Sequence, residues 1–446
     1  MSLYKASRYN FIFKKGKGYL VFNTLSRTIA YLSKEVVKAL QEGDFESLET
    51  EVIRELEENN LIVPNEVDEL AVVKTLFWRS KFTGNTLGVT VLPTYECNMA
   101  CPYCYEGDSR PSTNMSKALS LKVCDWIINQ LEGGKYTALS ISFYGGEPLL
   151  RPDIIFLISE TLKAKCNEMA INFSLDIITN GVLLSEDIIK ELKKFNWHSV
   201  QITLDGPPNV HDKRRILKNG EGSFCIIIDN IKKLLALAPD TRLNIRINID
   251  KGNAQHIDQL LNILENEGIS QKALIGVSRI FLTDSNKNYY SKNALPDKIA
   301  DRIQLDFLEK CRQENLFHSL VPIGAGPSYC GAASAHSWVI APDGKLYKCL
   351  EFIEGDQFCM GSILEGINIY KHLQWLSIDP FESKKCRECL FLPCCGGGCV
   401  ARAYYETRDI SKRVCPWSKL LFRAMIEHRV EVFHKNRIPT NAGDSN

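Results

Sequence analysis

An alternation of strand and helix patterns runs through the middle of the chain and restricts the folds open to it. Short segments with strand character are each followed by a segment whose apolar residues recur every three to four positions. The strand segments span residues 87–92, 139–144, 173–178, 200–204 and 243–249, and the helical segments span residues 116–131, 154–165, 186–195, 226–237 and 256–267. Repeated βα units predict a parallel sheet, open or partly closed as a barrel, with reactive loops at the carboxyl ends of its strands.

Three cysteines lie in the loop that follows the first of these strands. Cys97, Cys101 and Cys104 have the spacing C-x3-C-x2-C, which places three thiolates on one tight loop. A four-iron cube takes four ligands, so three thiolates leave one iron open to a small molecule. The alternative, a structural zinc site, takes four ligands at paired spacings. The tetrapeptide Gly145-Gly146-Glu147-Pro148 closes the next strand, where glycines let the backbone approach a ligand closely.

The cysteine content also bears on the compartment in which the protein works. The chain of 446 residues contains 16 cysteines and carries a formal net charge of +1. Disulfide-dense proteins are small and secreted, whereas this chain is long and shows no signal-peptide pattern, so clustered cysteines indicate metal binding in a reducing compartment. We therefore expect a cytoplasmic protein. Its charge gives no reason to expect nucleic acid as a partner, and no apolar run is long enough to predict a membrane span.

The cysteine loop and the glycine loop together resemble the radical S-adenosylmethionine (SAM) superfamily. The resemblance implies a partial (βα)6 TIM-like barrel in which Cys97, Cys101 and Cys104 hold a [4Fe-4S] cluster and SAM binds the open iron. The residues that it assigns to SAM binding are Tyr103, Gly145, Gly146, Glu147, Pro148, Thr179, Asn180, Asp205, Arg215 and Arg246. Glu147 and nearby carbonyls would take up an ammonium group, and Arg246 is suited to a carboxylate by bidentate pairing. Taken singly, the residues after Pro148 could equally be polar residues of turns or of the core edge.

Seven further cysteines near the C-terminal end form a second pattern. Their order and spacing resemble the SPASM extension of radical SAM enzymes, which holds up to two auxiliary four-iron clusters. By that resemblance Cys330, Cys349 and Cys399 serve a first auxiliary cluster, and Cys386, Cys389, Cys395 and Cys415 serve a second. The first cluster then lacks one ligand, for which the alternatives are Cys359, Cys394, a non-cysteine side chain and the substrate. A zinc ribbon, the competing interpretation, would explain the C-x2-C pair alone.

The first 70 residues form a small unit by their turn and helix-boundary signals. Strand patterns at residues 10–13, 19–22 and 23–32 precede helix patterns at residues 33–40 and 46–60. This winged-helix-like plan resembles the precursor-recognition domain of many peptide maturases, which binds a leader peptide as an added strand on its sheet edge. The alternative is a cap that only packs on the catalytic domain.

The whole chain is thus predicted to be an α/β protein with a winged-helix-like N-terminal domain and a cysteine-rich C-terminal SPASM domain. The expected order is a recognition domain (1–70), a linker helix (71–85), a radical SAM partial barrel (86–310), a SPASM domain (311–436) and a disordered tail (437–446). The expected cofactors are SAM and three [4Fe-4S] clusters. The expected partners are a precursor peptide and an external electron donor such as flavodoxin or ferredoxin.

The resemblance implies an enzyme that generates a 5′-deoxyadenosyl radical and oxidatively modifies a ribosomally synthesised precursor peptide. Thioether or carbon–carbon cross-linking is the expected modification. Sulfatase maturation is the alternative, although those enzymes carry an Asp after the cysteine that corresponds to Cys349, where this chain has Leu350-Glu351. A non-catalytic zinc or iron–sulfur scaffold is an alternative of a different class, and it would need no glycine loop.

Overall fold

The computed structural model of the protein describes residues 3–105, 112–314, 316, 330–353, 356–415 and 418–437. The N-terminal elements are β1 (Tyr4–Ala6), β2 (Asn10–Lys15), β3 (Gly18–Asn23), β4 (Ile29–Leu32), α1 (Lys34–Glu42), α2 (Thr50–Glu58), β5 (Ile62–Pro64) and α3 (Glu69–Phe82). The central elements are β6 (Thr86–Val91), α4 (Lys117–Gly133), β7 (Ala138–Phe143), α5 (Pro152–Glu168), β8 (Asn172–Thr179), α6 (Glu186–Leu192), β9 (Trp197–Thr203), α7 (Pro208–Arg214), α8 (Phe224–Leu237), β10 (Arg242–Ile249), α9 (Ile257–Asn266), β11 (Ala273–Arg279), α10 (Lys287–Asn293) and α11 (Asp297–Gln313). The C-terminal elements are β12 (Ser337–Ile340), β13 (Leu346–Tyr347), β14 (Gly361–Ser362), β15 (Gly366–Ile367), α12 (Ile369–Leu376), α13 (Lys384–Arg387), α14 (Leu392–Cys395), α15 (Val400–Thr407) and α16 (Lys419–Arg437).

The central sheet confirms the predicted parallel βα architecture. Strands β6 to β11 pair in parallel in chain order, and β12 joins β6 on its other side. The five predicted strands and the five predicted helices are present within three residues at each end. The sixth parallel strand, β11, was not predicted, because its sequence Ala-Leu-Ile-Gly-Val-Ser-Arg lacks a regular alternation of polar and apolar residues. The cysteine-rich region extends this sheet through β12 and β13 rather than standing apart from it.

One face of the central sheet is apolar and the other is polar. On β8, Leu175 and Ile177 are fully buried, whereas Ser174 and Asp176 between them are half-buried. The same alternation recurs on β7 and β10. A parallel sheet with both faces packed against helices would read as a continuous apolar run. The alternation therefore indicates a partial barrel, with helices outside and a polar interior.

The N-terminal unit differs from its prediction at two element boundaries. The hairpin of β2 and β3 is confirmed, but the predicted strand 23–32 is wrong at its beginning. Asn23 Oδ1 accepts hydrogen bonds from the backbone of Leu25 and Ser26, and Arg27 adopts a φ of 69°, so a turn precedes β4. The predicted helix 46–60 is also too long, since α2 begins at Thr50. Helix α3 begins at Glu69 because the Asp68 carboxylate caps it.

The N-terminal sheet packs directly on the cysteine-rich region. Phe11 lies against Phe391, and Phe391 in turn lies against Phe422 of α16, with ring centroids 5.4 and 4.8 Å apart. A second buried contact joins Phe77 of α3 to Phe381. Removing residues 1–65 would take away Phe11 and expose Phe391 to water, so a truncation cannot separate recognition from stability. The predicted tail beyond residue 437 lies outside the described residues, and residue 437 itself ends α16.

Candidate active site

The cysteine loop leaves the carboxyl end of β6 and is held by backbone hydrogen bonds on both sides. On one side, Glu147 N donates to Glu96 O over 2.8 Å and Gly146 N donates to Thr94 O over 3.2 Å. On the other side, Ala100 N donates to Ile216 O over 2.9 Å. The loop is therefore clamped between the segment after β7 and the segment after α7, with Cys97, Cys101 and Cys104 half-buried.

The two glycines after β7 make this clamp possible. A Cβ atom on Gly145, where φ is 129°, would lie 2.5 Å from Thr94 O. A Cβ atom on Gly146 would lie 2.1 Å from Glu96 O, a separation that real structures do not show. The sequence predicted that these glycines let a ligand approach the backbone. The structure gives them a second role, because the backbone of the cysteine loop itself packs closely against them.

Glu147 joins the ends of two neighbouring strands. Its carboxylate is fully buried, and it accepts hydrogen bonds from Leu149 N at 3.0 Å, Thr179 Oγ1 at 2.6 Å and Asn180 N at 2.7 Å. Burial raises its pKa, and these donors oppose that rise. A carboxylate has about four acceptor positions. Three protein donors occupy most of them, and few remain for the ammonium group that the sequence predicted Glu147 to bind.

Asn180 connects the end of β8 to the cysteine loop. Its Nδ2 donates to Asn98 Oδ1 over 2.7 Å and lies 3.9 Å from Cys97 Sγ. Burial raises the pKa of the Cys97 thiol to about 12, the charge of Glu147 adds to that rise, and Arg215 opposes it. Asn180 thus lies beside the predicted ligand Cys97, whereas the Thr179 side chain bonds to Glu147, and the sequence specified neither contact.

Tyr103 and Arg215 form a buried pair next to Cys101. The Tyr103 hydroxyl donates to Asp205, and Arg215 Nη1 donates to the Tyr103 oxygen over 2.8 Å. Arg215 is 9% exposed, and the charges that raise its pKa against burial include Tyr103 and Cys101. Its Nε makes no hydrogen bond to any of the residues that the structure describes. A buried guanidinium with a spare donor fits an anionic group such as the SAM carboxylate.

Asp205 lies against the pair of Tyr103 and Arg215 and contacts Tyr103 through its carboxylate. Its side chain is fully buried, and Asn248 N donates to Oδ1 over 2.9 Å while Tyr103 donates to Oδ2. Arg214 Nε lies 3.6 Å from the same carboxylate. Asp205 therefore positions Tyr103 and the adjacent arginines, and its two oxygens face protein groups.

Arg246, the other arginine predicted to contact SAM, lies elsewhere in the barrel. It is half-buried on the polar face of β10, and its Nε donates to Asn248 Oδ1 over 2.8 Å. Within the described ranges, no hydrogen bond or ion pair connects Arg246 to the cysteine loop. Its position on the inner face suits a ligand in the barrel interior.

The sequence did not predict the contacts that hold the segment after β9 in place, or the part that Asp250 takes in them. Arg214 Nη1 donates to Asp250 over 2.7 Å, and Tyr289 donates to the same carboxylate over 2.8 Å. His211 Nδ1 accepts from Asp205 N, and burial together with Arg214 and Arg215 lowers its pKa, so it is neutral. Asp250 directly follows β10, and a search for polar residues at strand ends could have found it.

Cys330, Cys349 and Cys399 lie near one another in the C-terminal region. Burial raises the pKa of Cys349 well above its usual range, and the charges of Glu351, Cys330 and Cys399 add to that rise. Lys348 lies beside this group, with Nζ donating to Ser334 O and Ser337 O, and burial lowers its pKa to about 7. The structure thus brings these three predicted ligands near one another, with a buried lysine beside Cys330.

The other four predicted ligands line one cavity. Its walls include Cys386, Cys389, Cys395 and Cys415 together with Phe391, Leu392, Phe422 and Arg413. Burial raises the pKa of Cys395 to about 12, with further contributions from Cys389, Cys415 and Cys386. Arg413 interacts with the charge of Cys386 in this group and with those of Cys330 and Cys399 in the other. A half-buried cation therefore lies between the two cysteine groups, and no spacing signal in the sequence pointed to it.

The two cysteines considered as extra ligands have hydrogen-bond partners outside both cysteine groups. Cys394 Sγ accepts from Arg27 Nη1 over 2.6 Å and donates towards Thr24 O, at the contact with the N-terminal unit. Cys359 Sγ donates to Gly361 O over 3.1 Å. Cys124, Cys166 and Cys311 are buried core residues, as expected for thiols in apolar surroundings, whereas Cys225 is exposed.

The spacing of the thiols bears on which metal group they suit. Among the residues described, no three Cys, His, Asp or Glu side chains lie close enough together to enclose one metal ion. Sulfurs around one tetrahedral zinc would lie about 3.8 Å apart, whereas the ligands of a four-iron cube bind different irons and lie farther apart. The predicted ligands in the three groups are all thiols, soft donors of the kind that iron–sulfur clusters and zinc take. No helix in the described part of the chain is long and apolar enough to cross a membrane.

Comparisons with known proteins agree with this geometry. Residues 91–264 match the sequence profile of the Radical SAM superfamily. The chain is 28% identical over 323 residues to a cysteine-type anaerobic sulfatase-maturating enzyme of Clostridium novyi (strain NT), covering 68% of this chain and 84% of that protein. It is 27% identical over 328 residues to the mycofactocin maturase MftC of Mycobacterium tuberculosis (strain CDC 1551 / Oshkosh), covering 70% and 78%.

A solved structure shares the fold over nearly the whole chain. Streptococcus suis SuiB bound to its precursor peptide SuiA is 16% identical, with a TM-score of 0.51 over 91% of this chain and 97% of SuiB. The superfamily match implies a [4Fe-4S] cluster and SAM as cofactors. The protein is therefore an enzyme that contains a Radical SAM domain over residues 91–264, with the cysteine loop at the carboxyl end of the first barrel strand and a cysteine-rich region after the domain.

Proposed function

We propose that the protein is a peptide maturase that oxidatively modifies a ribosomally synthesised precursor peptide, by thioether or carbon–carbon cross-linking. The observation that carries the proposal is the clamped cysteine loop, with Arg215 beside it, at the mouth of a polar barrel interior. SuiB, whose structure matches 91% of this chain, is bound to its precursor peptide SuiA. When bound, the cluster and SAM supply a 5′-deoxyadenosyl radical that takes one hydrogen atom from a substrate carbon.

The second half of the oxidation requires an electron acceptor. Cross-linking with loss of two hydrogens releases one hydrogen atom to the radical, and it then releases one proton and one electron. We propose that two auxiliary [4Fe-4S] clusters, at Cys330, Cys349 and Cys399 and at Cys386, Cys389, Cys395 and Cys415, accept this electron. A flavodoxin or ferredoxin would reduce the SAM-binding cluster. Anaerobic reconstitution should then give about twelve irons per chain, and about four would remove the auxiliary clusters from the proposal.

Turnover of a peptide is the direct test of the proposed function. The enzyme should be incubated with SAM, reductant and each short peptide encoded by a reading frame beside its gene. We expect 5′-deoxyadenosine and a peptide lighter by two hydrogens for each bond formed. A peptide of unchanged mass, together with full 5′-deoxyadenosine formation, would contradict the choice of substrate.

Sulfatase maturation is the second candidate because one relative is a sulfatase-maturating enzyme. It would convert a cysteine of a sulfatase peptide into an aldehyde that a hydrazide reagent traps. The carboxylate near Cys349 in this chain belongs to Glu351, two residues after the cysteine. An aldehyde product, and no cross-link in the precursor peptide, would favour this candidate.

SAM binding should distinguish the two arginines assigned to it. Arg215→Gln should weaken SAM binding by about 10- to 100-fold, because a charge-assisted hydrogen bond contributes about 1.5–3 kcal/mol. Arg246→Gln should change it much less, since Arg246 has no described contact with the cysteine loop. Equilibrium titration of the reconstituted protein with SAM measures both values. The reverse order of effects would contradict the assignment of Arg215.

We propose that the N-terminal sheet binds the leader peptide along β4. Among the described strands, β4 is one of the two edges of the sheet β2-β3-β4, and β2 is the other. Asn23 N donates to Thr28 O, and hydrogen-bonded pairs alternate along an antiparallel ladder, so the backbone N–H groups of Ile29 and Tyr31 point away from β3. An added strand would bond to such groups.

A proline in β4 tests leader binding without the truncation that the packing forbids. Tyr31→Pro removes an outward backbone donor and should weaken leader binding by about 10-fold. Tyr31→Val keeps that donor and serves as the matched control. Fluorescence anisotropy of a labelled leader peptide measures affinity, and 5′-deoxyadenosine formation without peptide checks the catalytic domain. Equal affinities of the two variants would favour the packing-cap alternative.

A further inference from the structure

The first group of C-terminal cysteines supplies three thiolates to a cube that takes four ligands. Cys394 is bonded to Arg27, and Cys359 is bonded to Gly361 O. Both thiols thus have hydrogen-bond partners outside the group of Cys330, Cys349 and Cys399, whereas Cys330 contributes to the raised pKa of both Cys349 and Cys399. The fourth position at this group therefore calls for a ligand other than these two cysteines.

Glu351 lies next to the group by sequence and by fold. It belongs to the short 3-10 turn Leu350–Phe352, which starts directly after Cys349, and Phe352 N donates back to Cys349 O over 3.2 Å. The Oε2 atom of Glu351 is buried. The charge of this carboxylate acts on Cys349 and on Cys399, so it lies within electrostatic range of two of the three thiols.

The helix that carries Cys399 also holds Glu351 in place. Cys399 caps the N-terminus of α15, and Tyr405 of the same helix donates its hydroxyl hydrogen to Glu351 O over 3.0 Å. The Tyr405 ring stacks on Phe352 with the ring planes 10° apart and the centroids 5.9 Å apart. The backbone of Glu351 is thus fixed to the same rigid element as one of the predicted ligands.

The surrounding charges suit a carboxylate in this position. Lys348 lies by Cys330, and Arg413 interacts with Cys330 and Cys399. A cube core of charge +2 with three thiolates and one carboxylate has a net charge of about −2, which Arg413 offsets in part, while the charge of Cys330 raises the pKa of Lys348 against burial. A buried carboxylate is stable where it is paired, hydrogen-bonded or bound to metal.

We infer that Glu351 is the fourth ligand of the first auxiliary cluster, with a carboxylate oxygen bound to the iron that Cys330, Cys349 and Cys399 leave open. This inference rests on the proposed presence of that cluster. It makes the cluster fully protein-ligated, so the substrate binds no iron of this cluster. The cluster would therefore transfer electrons without taking part in substrate binding.

The test uses the full chain with Cys97, Cys101 and Cys104 replaced by Ala, so that only auxiliary clusters give a signal. Into this background we would introduce Glu351→Gln, Glu351→Cys and Glu382→Gln, the last as a control at an exposed carboxylate of the same region. The probe is cyanide, which binds an open iron. Electron paramagnetic resonance of the reduced protein and the iron content are the readouts.

We expect cyanide to leave the spectra of the parent and of Glu382→Gln unchanged and to alter that of Glu351→Gln. On mild oxidation, Glu351→Gln should also lose one iron and show a three-iron signal. Glu351→Cys should retain all irons and be insensitive to cyanide, because a thiolate takes the same position. This variant keeps the test valid if Glu351→Gln fails to assemble the cluster.

Two results would overturn the inference. One is a parent protein whose spectrum already responds to cyanide, since its iron would then be open. The other is a Glu351→Gln variant identical to the parent in iron content and cyanide response. If Cys349→Ala also leaves the iron content unchanged, the first auxiliary cluster itself is absent. The 5′-deoxyadenosine assay on the unmodified chain would still test the radical chemistry separately.

Discussion

Replacing Cys97, Cys101 and Cys104 with Ala should remove about four irons per chain and abolish 5′-deoxyadenosine formation. The three thiolates are the only cysteines of the described loop that follows β6, and a cube with no protein ligands there has nothing to hold it. SAM cleavage then loses its electron source. Iron analysis and chromatography of the anaerobic reaction measure the two losses.

The matched control for this variant is Cys225→Ala. Cys225 is an exposed thiol on α8, away from all three cysteine groups, and its replacement should leave iron content and SAM cleavage at the parent level. Continued 5′-deoxyadenosine formation by the triple variant would refute the placement of the SAM-binding cluster. A loss of about twelve irons would instead show that the loop also supports the fold of the C-terminal region.

Gly146→Ala should reduce SAM cleavage by about 100-fold or more. The new methyl group would lie 2.1 Å from Glu96 O, and that atom is backbone that also accepts the hydrogen bond from Glu147 N. Relief of the contact must move the residue directly before Cys97, and a displacement of about 1 Å in a reacting geometry can cost 100-fold in rate. Overpacking should also lower the free energy of unfolding by about 1–3 kcal/mol. Initial rates of 5′-deoxyadenosine formation and thermal denaturation measure the two effects.

Gly133→Ala provides the control for this substitution. Gly133 is the last residue of α4, and a Cβ atom there would meet no other atom within 4 Å. Alanine also favours helix over glycine by about 1 kcal/mol, so this variant should be as active and at least as stable as the parent. Similar activities of the two alanine variants would show that the contact between Gly146 and the cysteine loop does not position the cluster.

The order of strands and helices in the central sheet could be predicted from the sequence, because each helix and strand has its own apolar period over several residues. The sequence did not predict β11, because its short apolar run has no clear period. The predicted strand 23–32 also began too early, because the Asn23 side chain organises a turn before β4. The cysteine spacings also assigned the cysteines of the loop after β6 and those of the C-terminal region to different clusters. This was possible because the ligands of one cluster recur at characteristic intervals.

Contacts between segments that are far apart in the chain could not be predicted from the sequence. The motifs placed Glu147, Asp205, Arg215 and Arg246 in one set, whereas the fold gives Glu147 three protein donors and leaves Arg215 beside Cys101 with a spare donor. Arg413 between the cysteine groups and Glu351 beside Cys349 and Cys399 had no motif of their own.

The sequence by itself therefore determined the class of fold and the candidate cluster ligands, since both depend on periods and spacings within short stretches of chain. The tertiary structure alone decided which arginine lies at the cysteine loop, why the glycines are required, and how the N-terminal unit packs on the C-terminal region. These features arise where segments far apart in sequence meet, and burial and hydrogen-bond geometry at such meetings depend on the complete fold.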